Sequence, residues 1–324
     1  MRAVLPPADR NVPVPRLGDL PDPVPGPGEV LVAVAAAGLN HADLMQIRGA
    51  YPPPPGESEV PGLECAGRVL APEGPGLWQP GARVMALVGG GAHATRAVIP
   101  AGQLMPVPDN LSWSEATAIP EAGLTAWTNL VAEGGLQAGE TVLVTGATGG
   151  MGSFAVQLAR ELGARVLAAG RNLERLEQLR ALGVEEICVA GSGLAGQVRE
   201  ATGGRGVDLV IDFVGGAAIN AHLGALCDNG RLILVGLLAG RRAEVDLAPV
   251  LSRRLHIAGS VLRPRPRAEK AKLTAAFAAF ALPRLRDGRL RPVVDRVLPF
   301  EQAAEAYRAL ERGAPFGKVV LSME

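Results

Sequence analysis

Residues 141–162 read TVLVTGATGGMGSFAVQLAREL. Val142, Leu143 and Val144 form a short apolar run of the kind buried inside a parallel sheet. Gly146, Gly149, Gly150 and Gly152 interrupt it. Apolar residues then resume at helical spacing with Phe154, Val156, Leu158, Ala159 and Leu162. A strand, a glycine turn and a helix N-terminus in that order make a phosphate cradle. The glycines let the backbone approach a pyrophosphate, and the first-turn N–H groups with the helix dipole hold it. A glycine-rich connection with no ligand is the plainer alternative, but here the flanking strand and helix are both present.

Downstream, the same alternation repeats. Residues 165–169, 186–189, 207–212, 231–235 and 255–258 read as strands, and 173–182, 194–201 and 217–226 as helices. Six strands with crossover helices are what a doubly wound parallel sheet needs. Upstream, the chain is rich in Pro and Gly, with strand candidates at 30–34, 67–70 and 82–87, which suggests a small β-barrel-like domain. After residue 260 come two amphipathic helices, 269–285 and 300–312, and a closing strand at 317–321. That tail no longer fits the parallel repeat, so it returns to the first domain. The expected division is 1–119 with 261–324 for the strand-rich domain, and 120–260 for the nucleotide domain.

The composition narrows the partners. Thirty-two basic and 32 acidic residues balance, so no global field points to nucleic acid or an anionic membrane. Aromatic content of 3% argues against a base-stacking surface. No run approaches the ~18 apolar residues of a membrane span, and the first residues lack a signal core. Cys65, Cys188 and Cys227 make neither a disulfide framework nor a CxxC knuckle, and they fit a reducing cytoplasm.

Several motifs together carry a family resemblance over nearly the whole length. They are Gly38-Leu39-Asn40-His41-Ala42-Asp43-Leu44, Gly49-Ala50-Tyr51-Pro52, Pro61-Gly62-Leu63-Glu64-Cys65-Ala66-Gly67, Leu124-Thr125-Ala126-Trp127, Ala147-Thr148-Gly149-Gly150-Met151-Gly152 and Arg291-Pro292-Val293-Val294-Asp295. The chain resembles the zinc-independent medium-chain dehydrogenase/reductases, specifically the quinone oxidoreductase (zeta-crystallin-like) branch. The short-chain dehydrogenases share the TGxxxGxG turn but carry it near the N-terminus with a Tyr-x-x-x-Lys pair. Neither Tyr51 nor Tyr307 has a lysine at that spacing.

The resemblance implies an α/β protein: a GroES-like β-barrel-type catalytic domain plus a Rossmann doubly wound parallel sheet. It also implies a homodimer joined through the last strands of the nucleotide domains. Zinc-dependent relatives place their ligands at positions matching Asn40, Leu63 and the neighbourhood of Glu121. A leucine and a neutral amide are not ligands for Zn²⁺, so no metal is expected. Glu121 stands where the family is usually apolar.

For the cofactor, Rossmann sites that select NAD place an acid about 20 residues beyond the glycine turn, on the ribose hydroxyls. Arg171 occupies that place, after Gly170, and a guanidinium pairs with a 2′-phosphate. Arg175 lies one helical turn on. These residues predict NADPH, against the alternative of a solvated mixed-charge helix face. The resemblance adds cofactor contacts at Thr125, Thr148, Gly149, Gly150, Met151, Gly152, Val235, Gly236, Leu237, Ser260, Val261, Leu262 and Lys318; for Lys318 a surface lysine flanking a strand is the competing reading.

Without a metal, hydride chemistry favours an acceptor that is already electron-poor, such as a quinone or enone. The resemblance puts Asn40 and Tyr51 at the nicotinamide and substrate, with Tyr51 a candidate proton donor or an aromatic packed on the neighbouring prolines. Asn40 is also readable as a turn residue and Asp43 as a helix cap. Two alternatives remain: a 2-enoyl thioester reductase, with Arg263, Arg265 and Arg267 as a basic patch for a carrier, and a non-catalytic, crystallin-like NADPH-binding protein.

Overall fold

The computed structural model describes residues 1–7, 14–72, 78–313 and 315–324. Two units emerge: Met1–Leu124 with Leu262–Glu324, and Thr125–Val261. The first boundary falls inside the helix Pro120–Trp127.

The first unit opens with an antiparallel pair, β1 (Arg2–Leu5) and β2 (Arg16–Asp19). Then come β3 (Glu29–Leu39), α1 (His41–Ile47), β4 (Glu64–Pro72), β5 (Arg83–Leu87), β6 (Arg96–Pro100), β7 (Leu104–Pro106), α2 (Trp113–Thr117) and α3 (Pro120–Trp127). β3 is the spine of this unit. Its side chains alternate between buried and half-buried, and it pairs antiparallel with β4 and β6. Val30, Val32 and Val34 of β3 meet Cys65, Val69, Val84 and Ile99 in one core. Alternation of this kind is what a sheet covered on one face by a core requires.

The second unit comprises β8 (Thr141–Thr145), α4 (Gly150–Glu161), β9 (Arg165–Gly170), α5 (Leu173–Glu177), β10 (Glu186–Val189), α6 (Leu194–Ala201), β11 (Val207–Asp212), α7 (Ile219–Ala225), β12 (Leu226–Leu234), α8 (Ala248–Ser252) and β13 (His256–Gly259). Its six strands are parallel in the order β10-β9-β8-β11-β12-β13. That is the doubly wound order, with the glycine turn at the centre where the winding reverses. β8 is buried at every residue, as its apolar run demands.

The chain returns to the first unit with α9 (Arg267–Arg286), β14 (Val294–Pro299), α10 (Ala303–Arg312) and β15 (Lys318–Ser322). β15 pairs antiparallel with β3, so both chain ends build one sheet. α10 packs Ala306, Tyr307 and Leu310 against Leu39, Leu44, Ile47 and Val319. Within this core the Tyr307 hydroxyl bonds His93 Nδ1 at 2.7 Å, while His93 Nε2 lies 3.0 Å from the Gly38 carbonyl. Both side chains are buried. Tyr307→Phe would leave a buried imidazole nitrogen without its partner, a loss of about 1–3 kcal/mol. Denaturant unfolding of the variant should show it.

Candidate active site

Asn40 follows β3 and is the N-cap of α1, and the turn there is fixed by Asp43. The Asp43 carboxylate accepts the Asn40 backbone N–H at 2.7 Å and that of Gly62 at 3.1 Å, and it is fully buried. A carboxylate in the first helical turn satisfies donors that the helix leaves open. Asp43 is therefore a cap, and the Asn40 side chain is released for other work.

That side chain meets a buried ion pair. Lys318, the first residue of β15, donates to Asn40 Oδ1 at 2.6 Å and pairs closely with the Glu64 carboxylate. Asn40 Nδ2 donates to Glu64 Oε1 at 2.9 Å, and the Glu121 backbone N–H, in the first turn of α3, donates to Glu64 Oε2 at 2.8 Å. Glu64 is wholly buried and Lys318 is 4% exposed, so Lys318 is no surface lysine. The network also orients the amide. With Oδ1 facing an ammonium and one Nδ2 hydrogen on Glu64, Asn40 has a second N–H to donate outward.

Glu121 adds a further carboxyl beside this pair. Burial and the neighbouring Glu64 and Asp43 carboxylates push it up to about 7, against the opposing pull of Lys318 and Arg263. Tyr51 lies half-buried in the segment after α1. Burial raises its phenol above the ordinary value, the Arg263 guanidinium opposes that rise, and Glu121 adds to it.

The basic patch expected from Arg263, Arg265 and Arg267 does not form. Arg263 is 6% exposed and bonded internally. Arg265 pairs with Glu269 and Arg267 with Glu29, each at 2.7 Å. Arg263 is thus spent on buried partners, while Arg265 and Arg267 are drawn into ion pairs at the surface.

In the second unit, Gly146 has φ +59° and Gly152 lies so close to the strand end that a Cβ would stand 2.4 Å from the Gly146 carbonyl. Gly149 is the N-cap of α4 and meets nothing nearer than 3.6 Å at its Cβ position. The first intrahelical bond is Ser153 N–H to Gly149, so the N–H groups of Gly150, Met151 and Gly152 point out of the helix end. Thr148 lies in this turn. A bare helix end of 12 residues fits a pyrophosphate.

Gly170 closes β9, and exposed Arg171 follows it; the Asn172 side chain caps α5 through the Arg175 N–H. Val235 and Gly236 follow β12, and both donate backbone N–H groups to the Asp212 carbonyl. Gly236 is needed there, since a Cβ would fall 2.6 Å from the Phe213 carbonyl. Leu237 is exposed, Ser260 and Val261 follow β13, Leu262 is buried in the first unit, and Thr125 is buried in α3.

Sequence reasoning missed Asp212, at the end of β11. Burial pushes its carboxyl up, but hydrogen bonds from His222 and the Gly215 and Val214 N–H groups outweigh that and hold it below the ordinary value. Its only sequence signal is a charged residue closing an apolar strand.

Comparison with known proteins agrees with this architecture. The alcohol dehydrogenase GroES-like domain model matches residues 26–109, and the zinc-binding dehydrogenase model matches residues 150–279. A quinone oxidoreductase from Thermus thermophilus, solved alone and with NADPH, is 37% identical over 100% of both chains, with a TM-score of 0.82. The chain belongs to the medium-chain dehydrogenase/reductase family. A structure of the JamJ enoyl reductase is 27% identical over 96% of this chain and 95% of its own, with a TM-score of 0.83. The spectinabilin polyketide synthase system protein NorB of Streptomyces orinoci is 36% identical over 92% of this chain, which spans 13% of that protein's length.

One of the matching family models is that of a zinc-binding dehydrogenase, and the resemblance matches the zinc ligands of such relatives to Asn40, Leu63 and the neighbourhood of Glu121. At the matching positions Leu63 offers no donor atom, and Asn40 Oδ1 already accepts from Lys318. These side chains do not fit a catalytic zinc. Among the described residues no group of three His, Cys, Asp or Glu is placed to hold a metal ion, and no helix is long and apolar enough to cross a membrane.

Glu121 makes this reductase's stability depend on pH. The folded carboxyl titrates at about 7 against an ordinary 4.5. The folded state therefore keeps a proton that the unfolded chain releases, and stability falls as pH rises through that window, by on the order of 3 kcal/mol. Glu121→Gln should flatten this: equal to the parent near pH 5 and more stable than it at pH 8 in denaturant unfolding. A constant difference between the two proteins across that range would contradict the assignment.

Proposed function

We propose that the chain reduces quinones and similar electrophilic conjugated carbonyls with NADPH, without a bound metal. The observation that carries this reading is the Lys318–Glu64–Asn40 network, which engages Asn40, one of the positions that the resemblance matches to a zinc ligand. An internal ammonium, already neutralised by Glu64, takes the place of a Lewis acid. The acceptor must then bring its own electron deficiency.

Bound NADPH would supply the hydride. The chain's own task is to place the acceptor, to steady the oxygen that gains charge, and to deliver one proton. Asn40 has the outward N–H for that oxygen. Tyr51 has a phenolic hydroxyl, protonated near neutrality as a proton donor must be, and burial raises it further. Arg171, exposed at the end of β9, supports NADPH over NADH through a paired contact to the 2′-phosphate, with Arg175 one turn further along. The glycine turn with Thr148 through Gly152 takes the pyrophosphate, and Val235 to Leu237, Ser260 to Leu262 and Thr125 frame the remainder of the cofactor. Lys318 acts on Asn40.

A 2-enoyl thioester reductase is the second reading, favoured by the likeness to a polyketide synthase and to the JamJ enoyl reductase. The pairing of Arg265 and Arg267 with carboxylates weakens it, since neither guanidinium is held for a carrier's phosphate. A homodimer is supported by β13: it is the edge strand of a parallel sheet, all four residues are exposed, and Ile257 is 43% exposed.

Steady-state assays with NADPH, NADH and small ortho- and para-quinones test the proposal. Turnover should be fastest with NADPH, and Arg171→Ala should raise its KM about tenfold or more while leaving NADH unchanged. Absence of turnover with every pair would sink the reading, and turnover of crotonyl-CoA alone would move it to the thioester class. Light scattering after size exclusion should give twice the chain mass, falling to one chain mass on Ile257→Asp.

A further inference from the structure

Arg263 is the second residue of the returning chain, after Leu262 re-enters the first unit. Its guanidinium makes three separate bonds to three segments. Nε donates to the Gly89 carbonyl at 2.8 Å, Nη1 to the Tyr51 carbonyl at 3.2 Å, and Nη2 to Gln46 Oε1 at 2.6 Å. The same guanidinium lies over the Tyr51 ring, 5.0 Å from its centroid. Gln46, on α1, passes the restraint on, because its Nε2 donates to the Glu59 carbonyl at 3.0 Å. Arg263 is itself held in place: Lys270, in the first turns of α9 and 3% exposed, donates to its carbonyl at 3.3 Å.

A buried arginine with this many fixed partners is costly to bury unless its geometry is specified. Its planar fork reaches three acceptors in fixed directions, which a lysine's single ammonium does not do. The backbone and the ring face of Tyr51 are both among its contacts, whereas the phenol oxygen is not. Arg263 therefore sets where the tyrosine stands and leaves its hydroxyl for other partners.

We propose that Arg263 is the positioning residue for Tyr51, holding the ring and its backbone against α1 and the Gly89 turn so that the hydroxyl is placed for proton delivery. This rests on the reading of Tyr51 as proton donor given above. The proton passes from the Tyr51 hydroxyl to the reduced acceptor, the hydride having come from NADPH, and solvent reprotonates the phenolate.

The test is a double-mutant cycle with an independent spectroscopic reading. Arg263→Met should lower kcat tenfold to a hundredfold, as misplacement by about an ångström does, with the KM for NADPH within about twofold of the parent. Arg263→Lys should recover part of that loss. In a Tyr51→Phe background, Arg263→Met should cost less than about twofold more, because the hydroxyl it places is gone. An undiminished loss in that background would overturn the proposal.

Tyrosine labelled with ¹³C at Cζ gives the second reading, since the chain has two tyrosines and Tyr51→Phe assigns them. The Tyr51 signal should move in Arg263→Met while the Tyr307 signal stays; an unmoved Tyr51 signal would also overturn the proposal. If Arg263→Met fails to fold, Arg263→Lys and Gln46→Met remove fewer of the bonds and take its place in both experiments. If Tyr51→Phe leaves turnover unchanged, the proton-donor reading fails alone, and the Cζ shift still decides whether Arg263 positions the ring.

Discussion

The buried carboxylate of Glu64 sets the terms for the first unit. A carboxylate removed from water must be matched in charge and have its oxygens satisfied, or the fold loses several kcal/mol. Here the ammonium comes from the first residue of β15, the amide from the end of β3, and a backbone N–H from the start of α3. Three elements far apart in sequence are thereby fixed to one group. Space for it exists because its cross-strand neighbour on β3 is Gly38, where a Cβ would sit 2.3 Å from Glu64 Oε1. Replacing such a pair by well-packed apolar residues is often neutral for stability. Its value lies in specificity: β15 has one register on β3 that brings Lys318 to Glu64.

Glu121 follows from the same constraint. Its backbone N–H is already committed to Glu64, which brings a second carboxyl beside a carboxylate that has its cation. Like charges in a dry site do not both ionise readily, and the shared cation opposes the rise without cancelling it. Glu121 is thus a carboxyl that changes charge near neutrality.

The nucleotide unit is legible in the sequence because its information is local. An apolar strand, a glycine turn and an amphipathic helix lie within residues 141–162, and the structure forms β8 and α4 from them. The boundary around residue 226 is not. Helical spacing over 217–226 predicts a helix, yet Leu226 and Cys227 join β12, because Leu226 pairs with Val207 on β11. A bulge absorbs the mismatch, and Asn229, with φ 57°, takes a left-handed turn beside Gly230. In the first unit Asn40 and Tyr51 are legible as candidates from their motifs, but their partners are not. Lys318 is 278 positions from Asn40, and Arg263 is 212 from Tyr51. Helical and strand periodicity carries no record of such pairings, so sequence alone sends Lys318 to the cofactor and Arg263 to a surface patch.

On the proposed metal-free reading, the internal ion pair also limits what the site offers a substrate. A divalent cation polarises a carbonyl strongly enough to manage an alkoxide. An amide N–H on Asn40, its polarity enhanced by Lys318 but its surroundings neutralised by Glu64, stabilises much less charge. Reduction of an isolated ketone concentrates that charge on one oxygen. Reduction of a quinone or enone spreads it over a conjugated system, and a phenolic proton is sufficient to finish the step. The proposed acceptor class is therefore the one whose own delocalisation offsets the modest charge stabilisation that an amide and a phenol provide.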